Sequence, residues 1–190
     1  MKEKTAKIIR IVTIPPIEAL VMLLILYGVR RTEFGNADGL LVSILFLALI
    51  PACAYPVSVK MKNKEDIRSN QRNMAFTFNF LSYFVGMLTG RLMECSELVQ
   101  WILLSYFLSV LILTVMNKVF HIKASGHACS CALPYMFLSQ YLGRYVAAVC
   151  LLLYFAEFWA SVELKRHTME EFLQGSAVAA VVFAVTMSLV

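Results

Sequence analysis

Long apolar runs alternate with short polar segments along the whole chain. Seven runs carry few or no charges: 11–29, 39–59, 73–90, 98–117, 124–143, 145–162 and 172–190. Each is close to the ~20 residues that a helix needs to cross a bilayer. The pattern predicts an all-α, polytopic membrane bundle of six to seven transmembrane helices, folded as a single domain over residues 1–190.

Composition and charge agree with this prediction. The chain is 60% hydrophobic and 15% charged, with a mean hydropathy of +0.73, values outside the usual range of water-soluble domains. With seven crossings, thirteen of the 17 Lys and Arg residues lie on the side shared by the N-terminus and the loops 60–72, 118–127 and 164–171. Because Lys and Arg stay preferentially on the cytoplasmic side, we expect these loops at the cytoplasmic face of the cell (inner or plasma) membrane. The net charge of +5 then indicates contact with anionic lipid and not with nucleic acid.

Two acidic residues fall inside apolar runs. Glu18 follows Pro15 and Pro16, which indicate the start of a helix, and the helix dipole favours a carboxylate in the first turn. A buried functional carboxylate is the alternative for Glu18. We expect Glu157 at the membrane interface near Trp159, with pairing to a cation or a place in a pocket as alternatives.

The five cysteines indicate neither a disulfide framework nor a zinc site. They are odd in number and lack C-x2-C spacing. His127 with Cys129 and Cys131 is one conceivable ligand set, but residues two apart on a helix point to different faces. We expect the cysteines to pack as small apolar side chains.

Three polar segments share one face of the predicted bundle, because two crossings separate each from the next. The first, residues 60–72, reads as a positive anchor, except that Arg72 begins a span and can point into a polar pocket, where a guanidinium binds phosphate oxygens.

The second polar segment contains Ser125, Gly126 and His127. Ser125 is a predicted helix cap, and free N–H groups at a helix start attract oxyanions. An interfacial cap with a snorkelling Lys123 is the alternative, although it does not account for His127.

The third segment places Glu171 four residues after His167, on the same face of a helix. A carboxylate there can accept from one ring nitrogen, fix the tautomer and leave the other nitrogen free for nucleophilic attack. The alternative is a surface helix start with Thr168 as the cap and an exposed pair of side chains.

Together the three segments resemble the type-2 phosphatidic acid phosphatase superfamily, membrane lipid phosphatases related to vanadium haloperoxidases. The family pattern is K-x6-R-P, then P-S-G-H, then S-R-x5-H-x3-D. Here the middle motif reads Ala124-Ser125-Gly126-His127, and in the last motif five residues separate Ser161 from His167 and three separate His167 from Glu171. Order, spacing and membrane setting agree over about residues 60–176.

The resemblance implies a lipid phosphatase / haloperoxidase-like core and a role for each matching residue. His167 would attack phosphorus to form a phosphohistidine, Glu171 would hold it, and His127 would protonate the leaving lipid oxygen. Arg72, Ser125 and Gly126 would bind the phosphoryl oxygens. The scheme implies neither a metal nor another cofactor.

The chain departs from the family pattern at three positions. Ser161 replaces the arginine of the last motif, Asn73 replaces the proline of the first, and Glu65 stands where the first-motif lysine is expected. We expect Lys64 or Arg68 to supply the first-motif cation. The charge missing at Ser161 would come from Lys123, Lys165 or Arg166.

The favoured function is therefore that of a metal-independent hydrolase of a lipid monoester phosphate or diphosphate. A polyprenyl (di)phosphate, phosphatidic acid and phosphatidylglycerol phosphate all fit. The alternative is a weak or inactive family member that binds anionic lipid or a partner protein. The serine at position 161 favours this alternative.

A retinal protein is excluded because the last run, 172–190, contains no lysine, and the few intramembrane acids disfavour a proton transporter. The sequence does not specify an oligomeric state.

Overall fold

A computed structural model describes residues 2–60 and 67–189, which form helices and short connections without any strand. The helices are α1 (Lys2–Val12), α2 (Pro15–Val29), α3 (Arg31–Phe34), α4 (Ala37–Ile44), α5 (Ile50–Lys60), α6 (Ile67–Leu92), α7 (Glu97–Lys118), α8 (Gly126–Leu142), α9 (Arg144–Glu163) and α10 (Met169–Met187). A π-helical turn, Leu45–Leu49, joins α4 to α5 without interrupting the helical path. The predicted all-α class is confirmed for these residues.

Four helical segments in the described residues are long and apolar enough to cross a membrane: Ala37–Ser58, α7, α9 and α10. The bent pair of α1 and α2 adds a fifth if the two helices form one span. Helix α8 has 17 residues and packs against α2, α7, α9 and α10, so protein rather than lipid surrounds much of it.

Exposed apolar side chains support a lipid environment. On α9, Leu152 is 71% exposed, and Val149, Leu151 and Phe155 are each more than half exposed. A contiguous surface of this kind is unfavourable in water but suits a helix that faces hydrocarbon. The structure and the composition together indicate a membrane protein.

The first predicted run, 11–29, is not one straight helix. Helix α1 ends at Val12, Ile14 is extended, and α2 restarts with Pro15 and Pro16 at an angle of 55° to α1. Prolines lack the N–H that would continue the hydrogen-bond ladder, yet they are favourable in the first turn of a helix. The predicted helix start at Pro15 is therefore confirmed, whereas the continuous helix from residue 11 is wrong. The bend also returns α1 to the bundle, where it packs against α9.

A buried polar contact ties α7 to α10 within the bundle. The indole N–H of Trp101 donates to Thr186 Oγ1 at 2.8 Å, and the hydroxyl of Ser105 lies 2.8 Å from the same oxygen. The Trp101 ring also packs against Phe137 of α8 and Phe183 of α10, with centroids 4.8 and 5.1 Å away. These contacts fix three helices that support the site described below.

Candidate functional site

Both histidines of the predicted site line one cavity of about 450 Å³. His127 reaches it from the first turn of α8, and His167 from the connection between α9 and α10. Arg72 of α6 lines the same cavity. Residues from all three polar segments of the sequence therefore meet at one place, as the even spacing of the apolar runs predicts.

The segment before α8 is fastened to the start of α10. The backbone N–H of Ser125 donates to the carbonyl of Glu171 at 2.9 Å. The Ser125 side chain is buried and accepts from the N–H of Ala128 at 3.2 Å, which confirms the predicted helix cap. This backbone contact holds the segments that carry His127 and His167 at a fixed separation.

Gly175 allows this close approach. A Cβ on Gly175 would overlap the carbonyl oxygen of Ser125 and lie 3.2 Å from its nitrogen. Backbone atoms cannot move aside as the end of a flexible side chain can. At Gly126, by contrast, a Cβ would meet only the Phe76 ring, at 3.7 Å, which is an ordinary contact.

We therefore predict that Gly175→Ala destabilises the fold and that Gly126→Ala does not. Forcing a methyl group into the α8–α10 contact should reduce the free energy of unfolding by about 1–3 kcal/mol. The measurement is the thermal unfolding midpoint in detergent, with Gly126→Ala as the matched control. Equal midpoints for the two variants would contradict the prediction.

His167 and Glu171 form the predicted pair. His167 Nδ1 lies 3.1 Å from Glu171 Oε2, and their side chains are only 19% and 23% exposed. Glu171 also completes a capping box, because its carboxylate accepts from the N–H of Thr168 while its own N–H donates to the Thr168 hydroxyl. The Thr168 cap of the alternative is therefore confirmed, whereas its exposed pair of side chains is wrong, because both side chains are mostly buried. The cap holds the carboxylate against the imidazole.

The surroundings of His167 favour its neutral form. Burial lowers the pKa of His167 below the ordinary value of 6.5, the carboxylate of Glu171 opposes this shift, and the positive charges of Arg10 and Arg72 add to it. With Nδ1 directed to Glu171, Nε2 is the ring nitrogen available for chemistry. A neutral, oriented imidazole is a competent nucleophile.

The cations that were predicted to bind phosphate do not all lie at the cavity. Arg72, Lys165 and Arg166 line the cavity, and the Arg72 guanidinium also donates to Asn117 and lies 5.9 Å from the Phe76 ring centre. Lys123 is exposed and is absent from the described cavity lining. Lys64 and the side chain of Arg68 lie outside the described residues. Of the three residues expected to compensate for Ser161, two therefore reach the cavity.

Arg10 is a cavity residue that the sequence analysis missed. Its Nη1 donates to the hydroxyl of Ser161 at 2.8 Å, and Ser161 is completely buried. The Arg10 guanidinium thus reaches the position at which the resemblance implies an arginine, although Arg10 comes from α1, 151 positions earlier. The signal in the sequence is Arg10 itself, a cation four residues before the helix break at Ile14. The charge count alone assigns Arg10 to the positive residues of the cytoplasmic side.

Comparison with protein-family models, with curated proteins and with solved structures finds no match.

Behind His127 lies a second polar cluster, in the interior of the bundle. The Tyr135 hydroxyl contacts carboxylate oxygens of both Glu18, at 2.8 Å, and Glu157. Glu157 is completely buried on a side of α9 that faces inward, whereas Trp159 is partly exposed; its expected depth at the membrane interface stays a prediction. Glu18 lies in the first turn of α2, as predicted, and its side chain is buried, as the alternative predicted. A function for this carboxylate stays a prediction.

The arrangement provides an imidazole held by a carboxylate, a second imidazole, several cations and a helix N-terminus around one volume. Gly126 is the first residue of α8, and its backbone faces the same cavity. Such a set binds an oxyanion and can attack its central atom. The roles of the individual residues in a reaction remain predictions.

Proposed function

We propose that this protein is an integral-membrane lipid phosphate phosphatase of the type-2 phosphatidic acid phosphatase superfamily, with six to seven membrane crossings and a haloperoxidase-like core. The observation that carries the proposal is the presence of His127 and His167 in one cationic cavity. Sequence motifs 40 residues apart would not meet there by membrane anchoring alone.

In the proposed reaction, Nε2 of His167 attacks the phosphorus atom while the bond from phosphorus to the lipid oxygen breaks. His127 gives a proton to that oxygen, and the products are the free lipid and a phosphohistidine. Water then gives a proton to His127 as it attacks phosphorus, the P–N bond breaks, and inorganic phosphate leaves with both histidines restored. Glu171 holds His167 in position and stabilises the positive charge that develops on its ring.

Fixed donors around the cavity compensate the negative charge of the phosphoryl group. Arg10, Arg72 and Arg166 supply guanidinium groups, Lys165 an ammonium group, and Gly126 a backbone N–H at the start of α8. Donors placed before the reaction stabilise the transition state without reorganisation. Ser125 contributes indirectly through the cap that fixes this N-terminus.

The remaining walls of the cavity favour a lipid substrate. They are lined by apolar side chains, among them Pro16, Pro51, Phe76, Val110, Leu113 and Leu133. A phosphate next to the cations would place its apolar chain along these walls. A polyprenyl phosphate or diphosphate, phosphatidic acid and phosphatidylglycerol phosphate are the candidate substrates, and the excess of positive residues on this side favours the cytoplasmic face for the reaction.

The test is phosphate release from a panel of these four lipids by the protein in detergent. We expect release from at least one lipid, with His167→Ala as the control for contaminating phosphatases. Release that is equal in the control would refute the proposal. No release from any lipid, together with retained binding to vesicles that contain the same lipids, would favour a non-catalytic lipid-binding protein.

The pH dependence provides a separate prediction. Because His167 attacks only when neutral, kcat/KM should fall as the pH falls through its pKa, which lies below 6.5. In Glu171→Gln that pKa is lower still, since the opposing carboxylate is gone, so the acidic limb should move to lower pH. The plateau should also fall by roughly 10²–10⁴-fold, because the imidazole loses its orienting partner.

Glu170→Gln is the matched control for this measurement. Glu170 is exposed and contacts Gln174 rather than His167. Its pH profile should coincide with that of the wild type. An acidic limb that moves to higher pH in Glu171→Gln would contradict the assigned role of Glu171.

A further inference from the structure

Three different metal-ligating side chains meet on the side of His127 that faces the bundle interior. His127 and Cys131 are four residues apart on α8 and therefore share a helix face, and Glu157 approaches them from α9. One ligand atom of each residue, a ring nitrogen, the sulfur and a carboxylate oxygen, lies within 4.8 Å of the others. Cys129, which we considered with them from the sequence, points elsewhere on α8 and is not part of this group.

Several atoms of this region are buried without a hydrogen-bond partner among the described residues. They are His127 Nε2, Glu157 Oε2 and Glu18 Oε2. The hydroxyl of Tyr135 has a single proton, yet it contacts both carboxyl groups. Buried polar atoms without partners are unfavourable, and two members of the group, His127 and Glu157, each have one such atom, which is available to a ligand.

We propose that His127 Nε2, Cys131 Sγ and Glu157 bind a transition-metal ion, with zinc as the expected metal. A nitrogen, a sulfur and a carboxylate oxygen form a ligand set that zinc accepts, and three protein ligands leave a fourth position for a solvent molecule. One thiolate and one carboxylate neutralise the two positive charges of the ion. A neutral complex suits a site enclosed by helices.

Metal binding releases one proton, and two further residues support the ligands. The Cys131 thiol loses its proton when the sulfur binds the metal, and the proton leaves to solvent. Glu18 and Tyr135 form the outer support, because Tyr135 contacts the carboxylate that binds the ion. The ion would hold the His127 ring by Nε2.

This site goes beyond the proposed phosphatase function and does not depend on it. The first experiment measures the metal content of the protein purified in detergent with a tag that contains no histidine. We expect about one zinc ion per chain in the wild type. Cys131→Ser and Glu157→Gln should each lose most of the metal, whereas Cys129→Ser, a matched control from the same buried stretch of α8, should keep it.

The second experiment replaces the metal with Co²⁺ and records the absorption spectrum. We expect a thiolate-to-cobalt charge-transfer band in the wild type and in Cys129→Ser, and none in Cys131→Ser. Absence of both stoichiometric metal and this band from the wild type would overturn the proposal. Equal loss of metal from the Cys129 and Cys131 variants would overturn this ligand assignment.

The wild-type measurements remain decisive even if a variant fails to fold, which gel filtration would reveal. The outcomes also separate this proposal from the proposed function. A protein that contains zinc but releases no phosphate refutes the phosphatase alone. A protein that is active without zinc or the cobalt band refutes the metal site alone.

Discussion

Replacing His167 with alanine should abolish phosphate release, with a loss on the order of 10⁴-fold or more, because the attacking atom is removed. The same variant should fail to form a phosphoenzyme. When the wild type is quenched with acid during turnover of a lipid labelled in its phosphate, the label should remain on the protein. It should be lost on further acid treatment, as expected of a P–N bond.

His121 is the matched control for this prediction. It is exposed, is absent from the described cavity lining, and has a backbone φ of +55°. His121→Asn is preferable to alanine because asparagine tolerates this conformation. This variant should keep both turnover and labelling. A labelled phosphoenzyme in His167→Ala would show that another residue is the nucleophile.

Local rules predicted much of the fold and of the site. Apolar run lengths gave the helices, Pro15 and Pro16 marked a helix start, and Ser125 and Thr168 cap α8 and α10 as expected. These features depend on residues within one or two turns of each other. The pairing of His167 with Glu171 is equally local, since four residues make slightly more than one helical turn.

Local sequence patterns could not predict the contacts between distant segments. The inward position of Glu157 depends on how α9 is rotated against α1 and α8, and an apolar run with little periodicity does not specify that rotation. The sequence suggested His127 with Cys129 and Cys131 as a conceivable ligand set, but it did not indicate that Glu157 of α9 lies next to His127 and Cys131. The path of α1 was also hidden, because a break at two prolines does not specify the direction in which the chain continues.

Arg10 has the most informative test of the cavity cations. Arg10→Ala should reduce kcat/KM by about 10²–10³-fold, or roughly 2.7–4 kcal/mol, the range for removing one preorganised donor to transition-state charge. Ser161→Ala removes only the acceptor that positions the Arg10 guanidinium. Its loss should be much smaller.

Moving the guanidinium from α1 to α9 tests whether its position, and not α1 itself, matters. Ser161→Arg alone should be impaired, because it adds a second cation and a large side chain at a completely buried position beside Arg10. In Arg10→Ala/Ser161→Arg, the new arginine can occupy the volume that Arg10 left, and activity should recover above that of Arg10→Ala. This non-additivity would show that two chain positions supply one charge to the same place. If the double variant were no better than the product of the single losses, Arg10 would act through the packing of α1 against α9, and the cation for the phosphoryl group would have to come from Lys165 or Arg166.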